Sequence, residues 1–348
     1  LRVLITGADG FVGGHLASFL REEVGAEVLG LGLRPSVEVK KENAWAESEY
    51  RACDVRDAGE LRRQVLDFRP DYVFHLAAQS SVRRSWEDWE LTCSIALDGQ
   101  RNLLEALREA GGEARVHVAC SAEEYGRVGE EELPLTEDSP LRPATPYAFS
   151  KVLQDYLAVF YHQAYGMPVI RTRAFNQTGP GQSPDFVVSD FARQVALIEA
   201  GRAEPVIRVG NLEARRDFSD VRDLARAYWG LLEKGEPGGV YNVCSGRVLS
   251  VREILDILLG MAGVPINILQ DEKKMRPLDI PVLRGDNSRM RSVTGWEPSI
   301  PVERTRELIG SQAHVGRAVH TRGAHPGRRA GLVARAGVGM TGLPLSAA

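Results

Sequence analysis

No run of about twenty apolar residues, the length a membrane-spanning helix needs, occurs in this 348-residue chain. Its cysteines, at 53, 93, 120 and 244, form no CxxC and no Cys/His ladder of zinc spacing, so no metal site is expected. Scattered thiols in so long a chain read as small buried residues in a reducing compartment, which points to the cytoplasm. A secretory signal is not expected either: the apolar run Leu1-Arg2-Val3-Leu4-Ile5-Thr6 is too short, and glycines follow at once. Charge of one sign is scarce too. A net charge of −4 excludes a general nucleic-acid-binding surface. No internal repeat is visible.

What remains is the composition of a soluble globular protein, 43% apolar and 26% charged, long enough for two domains. The charge is uneven. Residues 311–348 hold Arg317, Arg322, Arg328, Arg329 and Arg335 and no acid, a local +5 that leaves −9 for the rest. This Gly/Ala/Arg-rich stretch lacks periodicity and is expected to be a flexible basic tail.

The first half alternates strand-like and helix-like patterns. Arg2–Thr6 reads as a buried parallel strand, and Val12, Leu16, Phe19 and Leu20 recur at helical spacing behind it. Residues 27–33, 72–76, 116–119 and 169–173 read as further strands, with helical apolar patterns around residues 61–68 and 103–107. Strands alternating with helices of this length predict an α/β fold, a doubly wound parallel sheet with right-handed crossovers. Four prolines between 134 and 146 punctuate a long loop, which in a compact domain is usually functional. Val240–Val243 reads as a late strand and residues 251–259 as a late helix.

Gly7, Gly10 and Gly13 lie between the first strand and its helix. Side chains must stay out of such a turn for a pyrophosphate to reach the backbone and the helix N-terminus. The loop is therefore a dinucleotide-binding candidate, with Phe11 and Val12 opening the helix. Residues 27–33 end without the acid that NAD binders usually place there, and Arg34 follows. A guanidinium suits a 2′-phosphate, which favours NADP(H) and leaves NAD(H) open.

Tyr147 and Lys151 stand four apart on a predicted helix with Thr145 as N-cap and Pro146 at N1, and so share a face. An ammonium one turn away is expected to lower the phenol's pKa toward general acid–base use. Residues 116–119 lead into Cys120-Ser121-Ala122-Glu123, at the carboxyl end of a strand, where open α/β sheets place their chemistry.

The GxxGxxG loop with this YxxxK pair resembles the extended short-chain dehydrogenase/reductase superfamily, whose Rossmann-type sheet carries a smaller C-terminal substrate domain. Three later stretches narrow the likeness: Arg173-Ala174-Phe175-Asn176-Gln177-Thr178-Gly179-Pro180-Gly181, Gly210-Asn211-Leu212-Glu213-Ala214-Arg215-Arg216-Asp217, and Arg276-Pro277. They resemble segments of enzymes acting on GDP-sugars. Over residues 2 to about 309 the chain is similar to the GDP-6-deoxy-4-keto-D-mannose reductases, which form GDP-D-rhamnose. GDP-mannose 4,6-dehydratases are the sister family. Ala8 in the first loop and Ser121 lean toward the reductases, whereas Glu123 keeps the dehydratases in view.

The resemblance implies an NAD(P)-dependent oxidoreductase. Tyr147 gives a proton to O4 of a 4-keto sugar, Lys151 tunes it and contacts the nicotinamide ribose, and Ser121 fixes the keto oxygen. In a dehydratase, Glu123 is the base. Asp54 and Val55 border the adenine, and Leu76, Ala77 and Ala78 the middle of the cofactor. Asn176, Arg216 and Arg276 hold the GDP-sugar by its diphosphate. The implied domains are 1–173 for NADP, with a strand returning near 240–246, and 174–310 mainly for the nucleotide sugar. A homodimer through helices that include the Tyr147 helix is implied as well. A non-catalytic NADP-sensing module is the reading from another class; such proteins commonly lose the Tyr or Lys that this chain keeps.

Overall fold

A computed structural model describes residues 1–39, 45, 49–275 and 280–304. The 311–348 tail, Arg276 and Pro277 lie outside the described residues.

Seven strands form the main sheet. These are β1 (Arg2–Thr6), β2 (Glu27–Gly32), β3 (Glu49–Ala52), β4 (Tyr72–His75), β5 (Arg115–Ser121), β6 (Val169–Ala174) and the late strand Val240–Val243. Their order is β3-β2-β1-β4-β5-β6 followed by Val240–Val243 at the far edge, and every pairing is parallel. The chain winds outward from β1 in one direction and from β4 in the other. The carboxyl ends of β1 and β4 therefore flank the switch point, where such sheets bind ligands.

Alternation along β1 shows why the sheet needs helices on both faces. Val3 and Ile5 join a core with Leu16 and Leu20 of the Phe11–Glu22 helix and with Leu224, Tyr228 and Leu231 of the Val221–Lys234 helix. Leu4 joins the opposite core, under the helices Ala58–Phe68, Gln100–Glu109 and Pro146–Tyr165. Each of these β1 side chains is fully buried, worth about 1.5–3 kcal/mol apiece. A one-residue slip would exchange the two cores.

The remaining strands are short: β7 (Asn176–Thr178), β8 (Val206–Val209), β9 (Arg215–Asp220), then, after the late sheet strand that is β10, β11 (Val248–Ser250), β12 (Asn267–Gln270) and β13 (Val282–Leu283). β9 is the hub, parallel to β7 and β13 and antiparallel to β11. A separate core of Phe191, Val195, Ile207, Val209, Ile254 and Leu258 lies on this side. Among the described residues no helix is long and apolar enough to cross a membrane. All four cysteines are free thiols.

Candidate active site

The glycine loop turns as the spacing requires. Gly7 has φ +69°, and a Cβ there would meet the Ala77 backbone nitrogen at 2.7 Å, because β1 and the segment after β4 approach closely. Gly10 caps the Phe11–Glu22 helix without a side-chain hydrogen bond, and no acid occupies the first turn. The helix thus starts with N–H groups that no side chain satisfies, which suits a diphosphate.

A cleft of about 340 Å³ runs over this loop. Gly7, Gly10, Phe11, Val12 and Gly13 line one end, with Asp54 and Val55 beside them and Leu76, Ala77 and Ala78 at the switch point. Ser121, Glu123, Tyr147, Lys151 and Asn176 line the other end. Asp54 is drawn below the usual carboxylate range by its hydrogen bonds from Arg56, including one of 2.6 Å from Nη2.

Two of the predicted residues, Arg34 and Arg216, are not among the residues that line this wall. Arg34 sits half-buried past β2 and is not among the described lining residues. Arg216 is buried on β9, its Nη1 donating to the Arg215 carbonyl at 2.9 Å. It pairs with Leu283, which does line the cleft, and stands two residues before Phe218, the partner of Asn176. Arg276 lies outside the described residues.

Thr145 starts the Pro146–Tyr165 helix as the sequence predicts, its Oγ1 accepting from the Ala148 N–H at 3.0 Å, with Pro146 in the first turn. The turn of helix puts Lys151 Nζ 5.9 Å from the centre of the Tyr147 ring. The side chains of Ser121 and Tyr147 hydrogen-bond. The electrostatics differ from the expected lysine effect. Burial pushes the Tyr147 hydroxyl above its ordinary pKa, the Ser121 hydrogen bond offsets part of that, and the nearby Glu123 and Glu124 charges add to it. Lys151 is itself buried and pulled down, with Nζ donating to the Ala119 carbonyl and to Gln154 Oε1, each at 2.8 Å. Tyr147 is therefore a phenol, not a phenolate, at neutral pH.

Neighbouring glutamates divide the work. Glu123 faces the cleft. Glu124 is fully buried, accepts the Ser121 N–H at 2.8 Å in a capping box, and stands 3.5 Å from the Arg173 guanidinium. Burial raises its carboxyl well above the ordinary range, and the Asp155 charge adds to the rise. Ser121 is thus held in place by a residue one position beyond the predicted base.

Sequence reasoning missed five residues. Gln154 positions Lys151 from i+3 on the same helix, a spacing that could have been read. Tyr228 lines the cleft from the Val221–Lys234 helix, where it resembles any other core aromatic. His75 and His117 are buried beneath, His75 bonded through Nδ1 to Thr6 Oγ1 and His117 through Nε2 to Thr172 Oγ1, both at 2.8 Å. Burial and then nearby positive charge push each imidazole down to about 3. Finally, β2 has no acid of its own, but the glycine loop brings one to its end. The Asp9 carboxylate accepts the N–H groups of Leu33 and Arg34 at 3.1 and 2.9 Å.

With this geometry in hand, comparison with known proteins is specific. Residues 4–308 match the family model described as GDP-mannose 4,6 dehydratase. The chain is 34% identical over 312 residues to the GDP-6-deoxy-D-mannose reductase of Pseudomonas aeruginosa, covering 88% of this chain and 95% of that enzyme. The solved structure of RMD from Pseudomonas aeruginosa complexed with NADPH superimposes with a TM-score of 0.76 at 33% identity, over 90% of this chain and 99% of that one. The Thermus thermophilus UDP-glucose 4-epimerase in complex with NAD gives a TM-score of 0.79 at 32% identity, over 90% and 99%. The chain belongs to the GDP-mannose 4,6 dehydratase family, on a Rossmann-type fold.

Proposed function

We propose that this family member reduces the 4-keto group of GDP-4-keto-6-deoxy-D-mannose to give GDP-D-rhamnose, with NADPH as hydride source and Tyr147 as proton donor. The observation that carries the reading is a half-buried tyrosine, its hydroxyl pKa raised by desolvation, beside Ser121 at the end of a cleft that begins on an uncapped glycine-loop helix. The similarity to the reductase and to the NADPH-bound structure from Pseudomonas aeruginosa supports the substrate and the cofactor.

The nicotinamide supplies hydride when the dinucleotide is bound. The other tasks fall to the chain. Ser121 and Tyr147 fix the keto oxygen between two hydroxyls. Tyr147, kept protonated by burial, donates to that oxygen as it gains charge. The Lys151 ammonium then stabilises the phenolate left behind. Gln154 and the Ala119 carbonyl keep Nζ from swinging away. Asn176 on the cleft wall orients the sugar end, and Arg216, from β9 beside that wall, meets the diphosphate together with Arg276. Residues 1–173 act as the cofactor domain and 174–310 mainly as the substrate domain.

One observation favours a second reading. Glu123 lies in the cleft, close enough for its charge to act on Tyr147, as a dehydratase base would. Incubation with GDP-4-keto-6-deoxymannose and NADPH deuterated at the transferred position separates the two. A reductase consumes NADPH and returns a rhamnosyl product labelled at C4. Accumulation of a 4-keto sugar from GDP-mannose alone, without net NADPH use, would replace the proposal with the dehydratase. NADPH binding without turnover of either sugar would leave only a sensing module.

The chain acts as a homodimer in this reading. Trp86, Trp89, Phe149, Tyr156 and Phe160 are exposed on the helices Val82–Glu87, Trp89–Ser94 and Pro146–Tyr165, and a second copy would cover them. Sedimentation at the monomer mass would refute this. Four free thiols support a cytoplasmic setting.

A further inference from the structure

We propose that Asp9 is a specificity-determining residue for the dinucleotide: its carboxylate accepts a hydrogen bond from a ribose 2′-hydroxyl and opposes a 2′-phosphate, so that the chain uses NADH as well as NADPH. This deepens the reading above and rests on the cleft being a nicotinamide dinucleotide site.

Dinucleotide folds usually place the acid that meets the 2′-hydroxyl at the end of the second strand. Here β2 ends in Leu31-Gly32 and continues as Leu33-Arg34, with no acid. The fold supplies one from a different segment. Asp9 Oδ2 accepts both the Leu33 and the Arg34 N–H, which anchors the carboxylate at the strand terminus. Gly32 makes the room, because a Cβ there would come within 2.2 Å of Asp9 Oδ1. Asp9, Gly32 and Leu33 all line the cleft. A carboxylate has about four acceptor sites, so two N–H donors leave capacity for a hydroxyl. A phosphate has no proton to offer there at neutral pH and carries like charge.

Asp9 also fixes the backbone from which the Arg34 side chain departs. The two residues weigh on the 2′ group with opposite sign, since the guanidinium attracts the phosphate. An acid two residues after the first glycine thus partly cancels what Arg34 contributes.

The test is nucleotide binding, read by fluorescence titration of the full chain with NADH and with NADPH. Loss of a hydrogen bond to a charged acceptor corresponds to roughly tenfold or more in affinity. Asp9→Asn and Asp9→Ser should therefore move the NADH-to-NADPH affinity ratio by about tenfold toward NADPH, and Arg34→Ala should move it the other way. Asp9→Asn keeps the side chain's shape, so a loop loosened by serine would not imitate the result. A ratio unchanged within about twofold in both Asp9 variants would overturn the proposal. Equal weakening of both nucleotides would do so too, since Asp9 would then only clamp the loop. Failure of the wild-type chain to bind either nucleotide would bring down the proposed function along with it.

Discussion

The two ends of the cleft stand on different foundations. At the cofactor end, β1, β2 and β5 run for five to seven residues, and each is paired on both sides. At the substrate end, β7 has three residues and β13 two, and both lean on β9. The cofactor end is also local in sequence, since strand, glycine turn and helix follow one another within Arg2–Glu22. The substrate end joins distant segments: Asn176 lies beside Phe218, and Leu283 beside Arg216. Long, doubly paired strands hold the glycine loop and the Ser121 end of β5 in place. Short strands held by non-local pairing are expected to open at lower free energy.

The sharpest break between the ends should come from Tyr147→Phe. It removes the proposed proton donor and leaves the rest of the cleft wall intact. Turnover should fall by about 10³-fold or more while NADPH binding, followed by titration, changes little. Near-normal turnover would remove Tyr147 from the mechanism.

Acid should strike the cofactor end first. His75 and His117 lie in it, and no histidine stands between residues 163 and 313. Both imidazoles titrate near 3 in the folded chain against 6.5 unfolded, so the unfolded state takes up protons that the folded state refuses. Stability is then full above pH 6.5 and declines as pH falls toward 3. At pH 5 the loss is about 2 kcal/mol for each histidine. Thermal unfolding of wild type and His117→Phe between pH 7 and 5 measures this, and an equal slope in the two would refute it.

The smallest effect should come from the substrate end. Asn176→Ala should raise the KM for the nucleotide sugar by about tenfold, with kcat and cofactor binding nearly unchanged. A fall in kcat with KM constant would mean that the substrate end is as stiff as the cofactor end.

Glu123 and Glu124 show how far the sequence could be read. The resemblance singled out Glu123 as a base and gave no role to Glu124. Only the 3₁₀ turn after β5 decided that the first faces the cleft and the second turns under Ser121. Tyr147 and Lys151 were legible because a helix repeats every 3.6 residues and Thr145-Pro146 marks its start. Their protonation was not legible, because it depends on burial by β5 and by the glutamates after it, and the expected lysine effect is outweighed there.

Local order determined the glycine turn, the alternating strands and helices, and the face shared by Tyr147 and Lys151. Those features follow from backbone geometry over a few neighbouring residues. Only the tertiary structure decided that an acid from the first loop would close the end of β2, that Arg216 would be buried beside the cleft wall, and that two neutral histidines would lie beneath the site. Such contacts join residues far apart along the chain, and hydrophobic periodicity carries no information about which distant side chain will arrive.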